Sequence, residues 1–330
     1  MQYRKFGNTN LQVSEVGFGS WAIGGSAIVG NTPIGWGKAD DEVSKKAITA
    51  AIEAGINFFD TADFYGLGHS ENLLGEVLRK NTDIIIATKV GHRNINNAIT
   101  LDYSKKYILE ACEASLKRLQ RETIDYYQLH SARLSHLQNG ECIEAMQALK
   151  KQGKIRYWGL SLNTFYPEPE ADFLMQNNLA DGFQLVFNII NQRAYDLINK
   201  AGEKGYGIIA RMPLQFGLLT GKFSFATSFN VDDHRSFRLT PEVLQKTLSF
   251  LENKVWIIKE KEKLNETGLA LSFILSNENV STIIPGIRTP EHVEKNTSGL
   301  KKLSEKNVSY LLSLAGNELK PIMELIEKTG

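Results

Sequence analysis

Eight short apolar runs rich in β-branched and aromatic residues, helical spacing between them, and glycines that close several of the helices predict an α/β chain. The architecture this implies is a (β/α)8 TIM barrel with an N-terminal β-hairpin and an extra C-terminal helix. Such barrels commonly run to about 250 residues, or beyond about 400 with insertions, as one unit. The 330 residues therefore read as a single domain, 1–330.

Taken in order, Tyr3-Arg4-Lys5-Phe6, a Gly7-Asn8-Thr9-Asn10 turn and Leu11-Gln12-Val13 predict the hairpin. Strands are expected near Val16 to Gly19, Asn57 to Asp60, Ile84 to Lys89, Asp125 to His130, Tyr157 to Ser161, Gly182 to Phe187, Gly207 to Arg211 and Thr282 to Gly286. Between them, sets such as Val43, Ala47, Ala50, Ala51 and Ala54, or Ile108, Ala111, Cys112, Ser115, Leu116 and Leu119, fall on one face of a helix. Gly55, Gly153 and Gly205 each end a helix before the next strand. Three stretches depart from this alternation. Residues 22 to 40 and 212 to 240 are expected as long loops, and Ser304 to Lys328 as one added helix. Long loops at the carboxyl ends of barrel strands are where these folds build sites.

Charge is balanced, with 38 basic and 37 acidic residues, so nothing points to nucleic acid or to an anionic membrane as partner. No apolar run approaches the roughly 20 residues that span a bilayer. With two cysteines on helix-like segments, Cys112 and Cys142, and no apolar leader, the expected compartment is the cytoplasm. His69, His92, His136 and His234 lack paired ligand spacing, so no metal is expected. His92 and Arg93 follow the third strand at the substrate mouth, while His69, His136 and His234 read as surface or loop residues. No G-x-G-x-x-G follows a strand, so a nucleotide site, if present, is not of Rossmann type.

Polar residues gather where four of the apolar runs end. The second strand stops at Asp60 with Tyr65 five residues on, the third stops at Lys89, and the fourth at His130. A buried lysine beside a carboxylate can be a plain structural ion pair. The full set suggests more. A phenol with an ordinary pKa near ~10 needs a cation beside it to act as a general acid, and Lys89 can be that cation. Asp60 would hold Lys89 protonated, and His130 would hydrogen-bond a carbonyl oxygen and orient it beside Tyr65. The set protonates an oxygen, so a further group must deliver reducing equivalents.

These residues resemble the catalytic tetrad of the aldo-keto reductases, and neighbouring words agree: Gly17-Phe18-Gly19-Ser20-Trp21, Asp60-Thr61-Ala62-Asp63-Phe64-Tyr65-Gly66, Ala87-Thr88-Lys89-Val90-Gly91, Leu218-Leu219-Thr220-Gly221-Lys222 and Ile284-Pro285-Gly286. The likeness runs from about Tyr3 to Gly299 and is nearest the longer bacterial members related to potassium-channel β subunits. It implies an NADP(H)-dependent oxidoreductase that reduces an aldehyde or ketone, a small and possibly sugar-like carbonyl substrate, with the proton from Tyr65. It also implies cofactor contacts at Gly19, Ser20 and Trp21, at Ser161 and Gln184 for the nicotinamide carboxamide, and at Arg211, Met212, Pro213, Leu214, Gly217, Leu218 and Lys222. At the last strand, Gly286, Arg288, Thr289, His292 and Asn296 would take the adenosine end. Arg288 stands where relatives bind the 2′-phosphate, which favours NADPH over NADH.

The sequence departs from that pattern in three places. Leu162 follows Ser161 where an asparagine is usual, with Asn163 next, and Lys295 replaces a glutamate before Asn296. Arg211 stands where the family commonly stacks an aromatic ring on the nicotinamide. A guanidinium can also stack, and its charge would disfavour the oxidised ring; alternatively Arg211 pairs with an acid or a phosphate. Two other functions compete with the reductase: a cofactor-bound regulatory subunit like the channel β subunits, and a Schiff-base aldolase using Lys89. The oligomeric state is left open.

Overall fold

The computed structural model describes residues 1–329. Its central sheet has eight parallel strands: β1 (Phe18–Gly19), β2 (Phe58–Asp60), β3 (Ile85–Val90), β4 (Ile124–His130), β5 (Ile155–Ser161), β6 (Gly182–Val186), β7 (Gly207–Arg211) and β8 (Thr282–Ile284). They run in sequential order, each hydrogen-bonded to the next. The ring closes through parallel bridges Val16 to Ile283 and Gly19 to Gly286, with the Gly17 and Gly19 amides donating to Ile283 and Pro285 oxygens at 2.7 and 3.0 Å. A Cβ on Gly19 would lie 2.8 Å from the Ile284 and Pro285 carbonyl oxygens, so only glycine lets the seam close. This is the (β/α)8 barrel that the alternating pattern predicts.

The hairpin pairs Tyr3–Lys5 with Gln12–Ser14 and stoppers the amino-terminal end of the barrel. Phe6 and Leu11 join Phe58, Ile85, Tyr126, Ile209 and Ile284 in one buried cluster, with the Phe6 ring 4.9 Å from that of Tyr126. With its floor filled by side chains, the barrel is open to ligands only at the carboxyl ends of the strands. The larger core lies between the strands and the surrounding helices, where Cys112 and Cys142 are both buried as free thiols. Burial lifts them to about 12 and about 11, so neither is a nucleophile at neutral pH.

Three expectations about the connections need correction. Ser304 to Lys328 is two helices, Glu305–Ser313 and Lys320–Lys328, because Pro321 can only begin a helical run and the preceding residues turn. The 22–40 segment contains a small hairpin, Ile28–Val29 with Thr32–Pro33, and the 212–240 segment contains a turn at Gln215–Thr220 and a short helix at Arg235–Arg238. A third hairpin, His92–Ile95 with Ala98–Leu101, follows β3, in a stretch for which the sequence reading named only His92 and Arg93. Its turn residues Asn96 and Asn97 have φ of 51° and 61°, the left-handed pair that a two-residue hairpin turn requires and that asparagine tolerates. No helix among the described residues is long and apolar enough to cross a membrane.

Candidate active site

The site starts from the apolar character of β2. Phe58 and Phe59 are buried, and the strand ends by delivering Asp60 to the carboxyl-terminal rim, still buried. Next to it β3 is buried along its whole length and carries Lys89. The Lys89 ammonium has three donors, and all are used: to Asp60 Oδ2 at 2.6 Å, to the Thr61 carbonyl at 2.8 Å and to the Tyr65 hydroxyl at 3.0 Å. Burial works against its charge, but Asp60 and Tyr65 outweigh that and raise its pKa above 10.5. Asp60 Oδ1 accepts from Gln184 Nε2 at 2.7 Å and from Gln128 Nε2 at 3.2 Å. Burial raises the Tyr65 pKa above 10 against the pull of Lys89, so the phenol carries its proton throughout the neutral range.

His130 completes the cluster from β4. Tyr103 donates its hydroxyl proton to the His130 carbonyl and fixes the strand end. The His130 ring stands edge-on to Tyr65, with centroids 5.9 Å apart, and lies 4.2 Å from the ring of His92. Burial, then the neighbouring His92, Lys89 and Arg211, push the His130 pKa well below 6.5. Burial likewise lowers His92, to about 4. Nδ1 of His130 is buried with no hydrogen-bond partner in the protein. The structure thus brings Asp60, Tyr65, Lys89 and His130 into one cluster.

The expected cofactor residues form a band along the same rim. Ser161 lies in register with both His130 and Gln184. Ser20 is buried and its hydroxyl accepts from Ser70 at 2.8 Å, while Trp21 stands edge-on to Tyr65 at 4.8 Å. Arg211 ends β7, and the chain then turns through Met212, Pro213 and Leu214 to Gly217 and Leu218. Beyond it Lys222 is exposed. Past β8, Gly286 lies against the Trp36 ring, Arg288 donates to the Trp36 carbonyl at 3.2 Å, and Thr289 precedes the helix Pro290–Thr297, which carries His292 and a buried Asn296. Asn163 spends its side-chain oxygen on the amides of Phe165 and Tyr166.

These residues suit an elongated anionic cofactor. Gln215, Phe216 and Gly217 have φ of 44°, 56° and 99°, and the Gln215 and Gly217 amides close this turn on the Met212 and Leu214 carbonyls at 3.0 and 2.9 Å, so it is Arg288 and the exposed Lys222 that offer positive charge to phosphate. Nearby, the Trp36 indole N–H is buried and has no acceptor in the protein. Among the described residues no group of three or more His, Cys, Asp or Glu could hold a metal ion.

Several participants escaped the sequence reading. Gln128 shares a strand face with His130, two residues on, so the period of β4 already pointed it inward. Glu71 is fully buried and accepts from Thr88 Oγ1 at 2.5 Å and Arg118 Nε at 2.6 Å, bracing the residue beside Lys89. His234 is not a surface histidine. It packs among Trp21, Phe216 and Phe237, and burial lowers its pKa to about 4. It also joins the two long loops, since its amide donates to the Gly35 carbonyl beside a bridge between Trp36 and Asp233. No local pattern announces a contact across such a distance in sequence.

A closed parallel barrel with a buried Asp60, Lys89 and Tyr65 cluster on its rim goes with one class, an oxidoreductase of the carbonyl-reducing kind, to which similar proteins also point. Residues 15–315 match the Aldo/keto reductase family, and the chain belongs to it. The oxidoreductase YqkF of Bacillus subtilis is 29% identical over 318 residues, covering 95% of this chain and 96% of its own. A probable voltage-gated potassium channel β subunit of rice is 26% identical over 324 residues, covering 91% of both chains. Among solved structures, the holo form of aldo-keto reductase AKR11C1 from Bacillus halodurans superposes with a TM-score of 0.77 at 26% identity, covering 97% of this chain and all of that one. The family generally uses nicotinamide cofactors.

Proposed function

We propose that this protein reduces a small aldehyde or ketone with NADPH, and that Tyr65 is the proton donor. The observation that carries this is the Lys89 ammonium, 3.0 Å from the Tyr65 hydroxyl and anchored 2.6 Å from Asp60. When bound, the nicotinamide supplies a hydride to the carbonyl carbon. His130 holds the carbonyl oxygen with a ring N–H and points it at the phenol. Tyr65 then gives its proton to that oxygen, and Lys89 stabilises the phenolate left behind. Asp60 keeps Lys89 charged, and Gln128 and Gln184 hold Asp60 in place through its other oxygen. In the reverse direction the phenolate would accept a proton from an alcohol.

Preference for NADPH over NADH rests on Arg288, with Lys222 and Lys295 close enough to His292 for their charges to lower its pKa. The test is a fluorescence titration with both nucleotides, run beside Arg288→Ala. NADPH should bind at micromolar concentration and weaken by about tenfold or more in the variant, with NADH little changed. Tyr65→Phe should bind NADPH normally and reduce no carbonyl. Failure of the wild type to bind either nucleotide would reject the proposal.

A further inference from the structure

Arg211 is a rim cation that no carboxylate among the described residues matches with an ion pair. Its N–H groups meet only neutral acceptors: Nη2 donates to the Leu162 carbonyl at 3.2 Å and to Thr164 Oγ1 at 3.0 Å, and Nη1 lies 3.2 Å from Met212 Sδ. Its Nε is buried with no partner, and no carboxylate among the described residues pairs with it, which removes the acid-pair alternative. Arg118, Arg193 and Arg235 are matched by Glu71, Glu327 and Asp233, whereas Arg121, before the amino-terminal end of β4 and away from the rim, is also held only by carbonyls, those of Leu78 and Asn81. An enclosed charge without a counterion costs stability, so its retention points to an anion that arrives from outside.

We propose that Arg211 is a specificity-determining residue that makes the pocket a site for carbonyl compounds carrying a carboxylate or a phosphate near the reacting group. The substrate class rests on the reductase reading; the anion subsite does not. Arg211 ends β7 and donates to the carbonyl of Leu162, the residue after Ser161, which is in register with His130, so an anion on its edge lies on the same rim as His130 and Tyr65. The carboxylate whose charge reaches Arg211, Asp60, is itself held 2.6 Å from the Lys89 ammonium. The phosphates of the cofactor would be met by other cations, Lys222 and Arg288. A guanidinium offers a ring its flat face and an anion its edge, so stacking on the nicotinamide and gripping a substrate use different parts of Arg211. The redox step is unchanged: the carbonyl carbon gains a hydride, the oxygen gains the Tyr65 proton, and reduced nicotinamide is oxidised.

The experiment compares two matched substrate pairs, 4-carboxybenzaldehyde with benzaldehyde and glyceraldehyde 3-phosphate with glyceraldehyde, in the wild type, Arg211→Gln and Arg211→Lys. The wild type should favour the charged member of at least one pair in kcat/KM. That ratio should fall roughly 10–100-fold in Arg211→Gln, the loss of one charge-assisted contact, and be partly kept in Arg211→Lys. A wild type without preference, or a preference that survives Arg211→Gln, overturns the proposal, whatever happens to cofactor affinity. Benzoate binding to the enzyme with oxidised cofactor, followed by fluorescence, tests the subsite without turnover. If no carbonyl is reduced yet benzoate binds and Arg211→Gln abolishes it, the subsite stands and the reductase reading fails. Benzoate binding that ignores Arg211, or no binding at all in an enzyme without charge preference, rejects the subsite.

Discussion

Replacing Lys89 by methionine separates the structural role of the buried pair from its chemical one. Lys89 is fully enclosed and Asp60 nearly so, and the pair spans 2.6 Å. Removing one member of such a pair typically costs about 3–5 kcal/mol, because the survivor keeps its desolvation penalty and loses its partner. Asp60 retains two amide donors, from Gln184 and Gln128, which place the cost near the low end, about 3 kcal/mol. Over 330 residues the unfolding entropy is about 0.7 kcal/mol per kelvin, so the melting temperature should fall by about 4 °C. Urea unfolding gives the free energy directly. Lys89→Met combined with Asp60→Asn leaves no uncompensated charge and should recover about 2 kcal/mol of the loss, although neither variant should reduce a carbonyl. A single variant within about 1 kcal/mol of wild type, or a double variant no more stable than the single one, would refute the reasoning.

Two further outcomes follow from the rim. His92 titrates near 6.5 in the unfolded chain and at about 4 in the folded one, chiefly because burial disfavours its charge. The unfolded chain therefore binds the proton first, stability drops as pH falls through 6.5, and the loss is complete below about 4. His92→Phe keeps the ring and should lessen that loss by about 2 kcal/mol, after discount for its partly open edge; equal acid sensitivity in urea titrations would rule the account out. Arg211→Trp exchanges a cationic stacking partner for a neutral one and should bind oxidised cofactor several-fold more tightly, as read by fluorescence. An unchanged dissociation constant would mean that the guanidinium does not lie on the nicotinamide.

The barrel and its rim were legible in the sequence because both rest on local rules. A strand buried on both sides reads as an unbroken apolar run, and the first polar residue after it marks the carboxyl end, which is how Asp60, Lys89 and His130 announced themselves. Glycines closing the helices located the other end of each unit. The loops obey no such rule. The hairpin after His92 had a signal in Asn96-Asn97, but the clasp between Trp36 and Asp233 depends on two segments about 200 residues apart that meet only once the barrel has closed. The break before Lys320 was also legible, since Pro321 cannot sit inside a long helix, whereas the apolar spacing on both sides of it suggested continuity.

The charges on the rim separate two tasks that would otherwise interfere. Lys89 and Asp60 cancel each other in a buried pair, so the proton donor sits beside a cation without the pocket gaining net charge from it. The imidazoles of His92 and His130 are held neutral by their surroundings. That leaves Arg211, at the end of β7 on the same rim, without a carboxylate partner among the described residues and outside the hydrogen bonds around Tyr65. On the proposed reading, such an arrangement would let substrate preference change through Arg211 while Lys89 continued to set the proton transfer. On this proposal a carboxylate fixed beside Arg211 would occupy the edge an anionic substrate needs, which is consistent with the neutral acceptors found there.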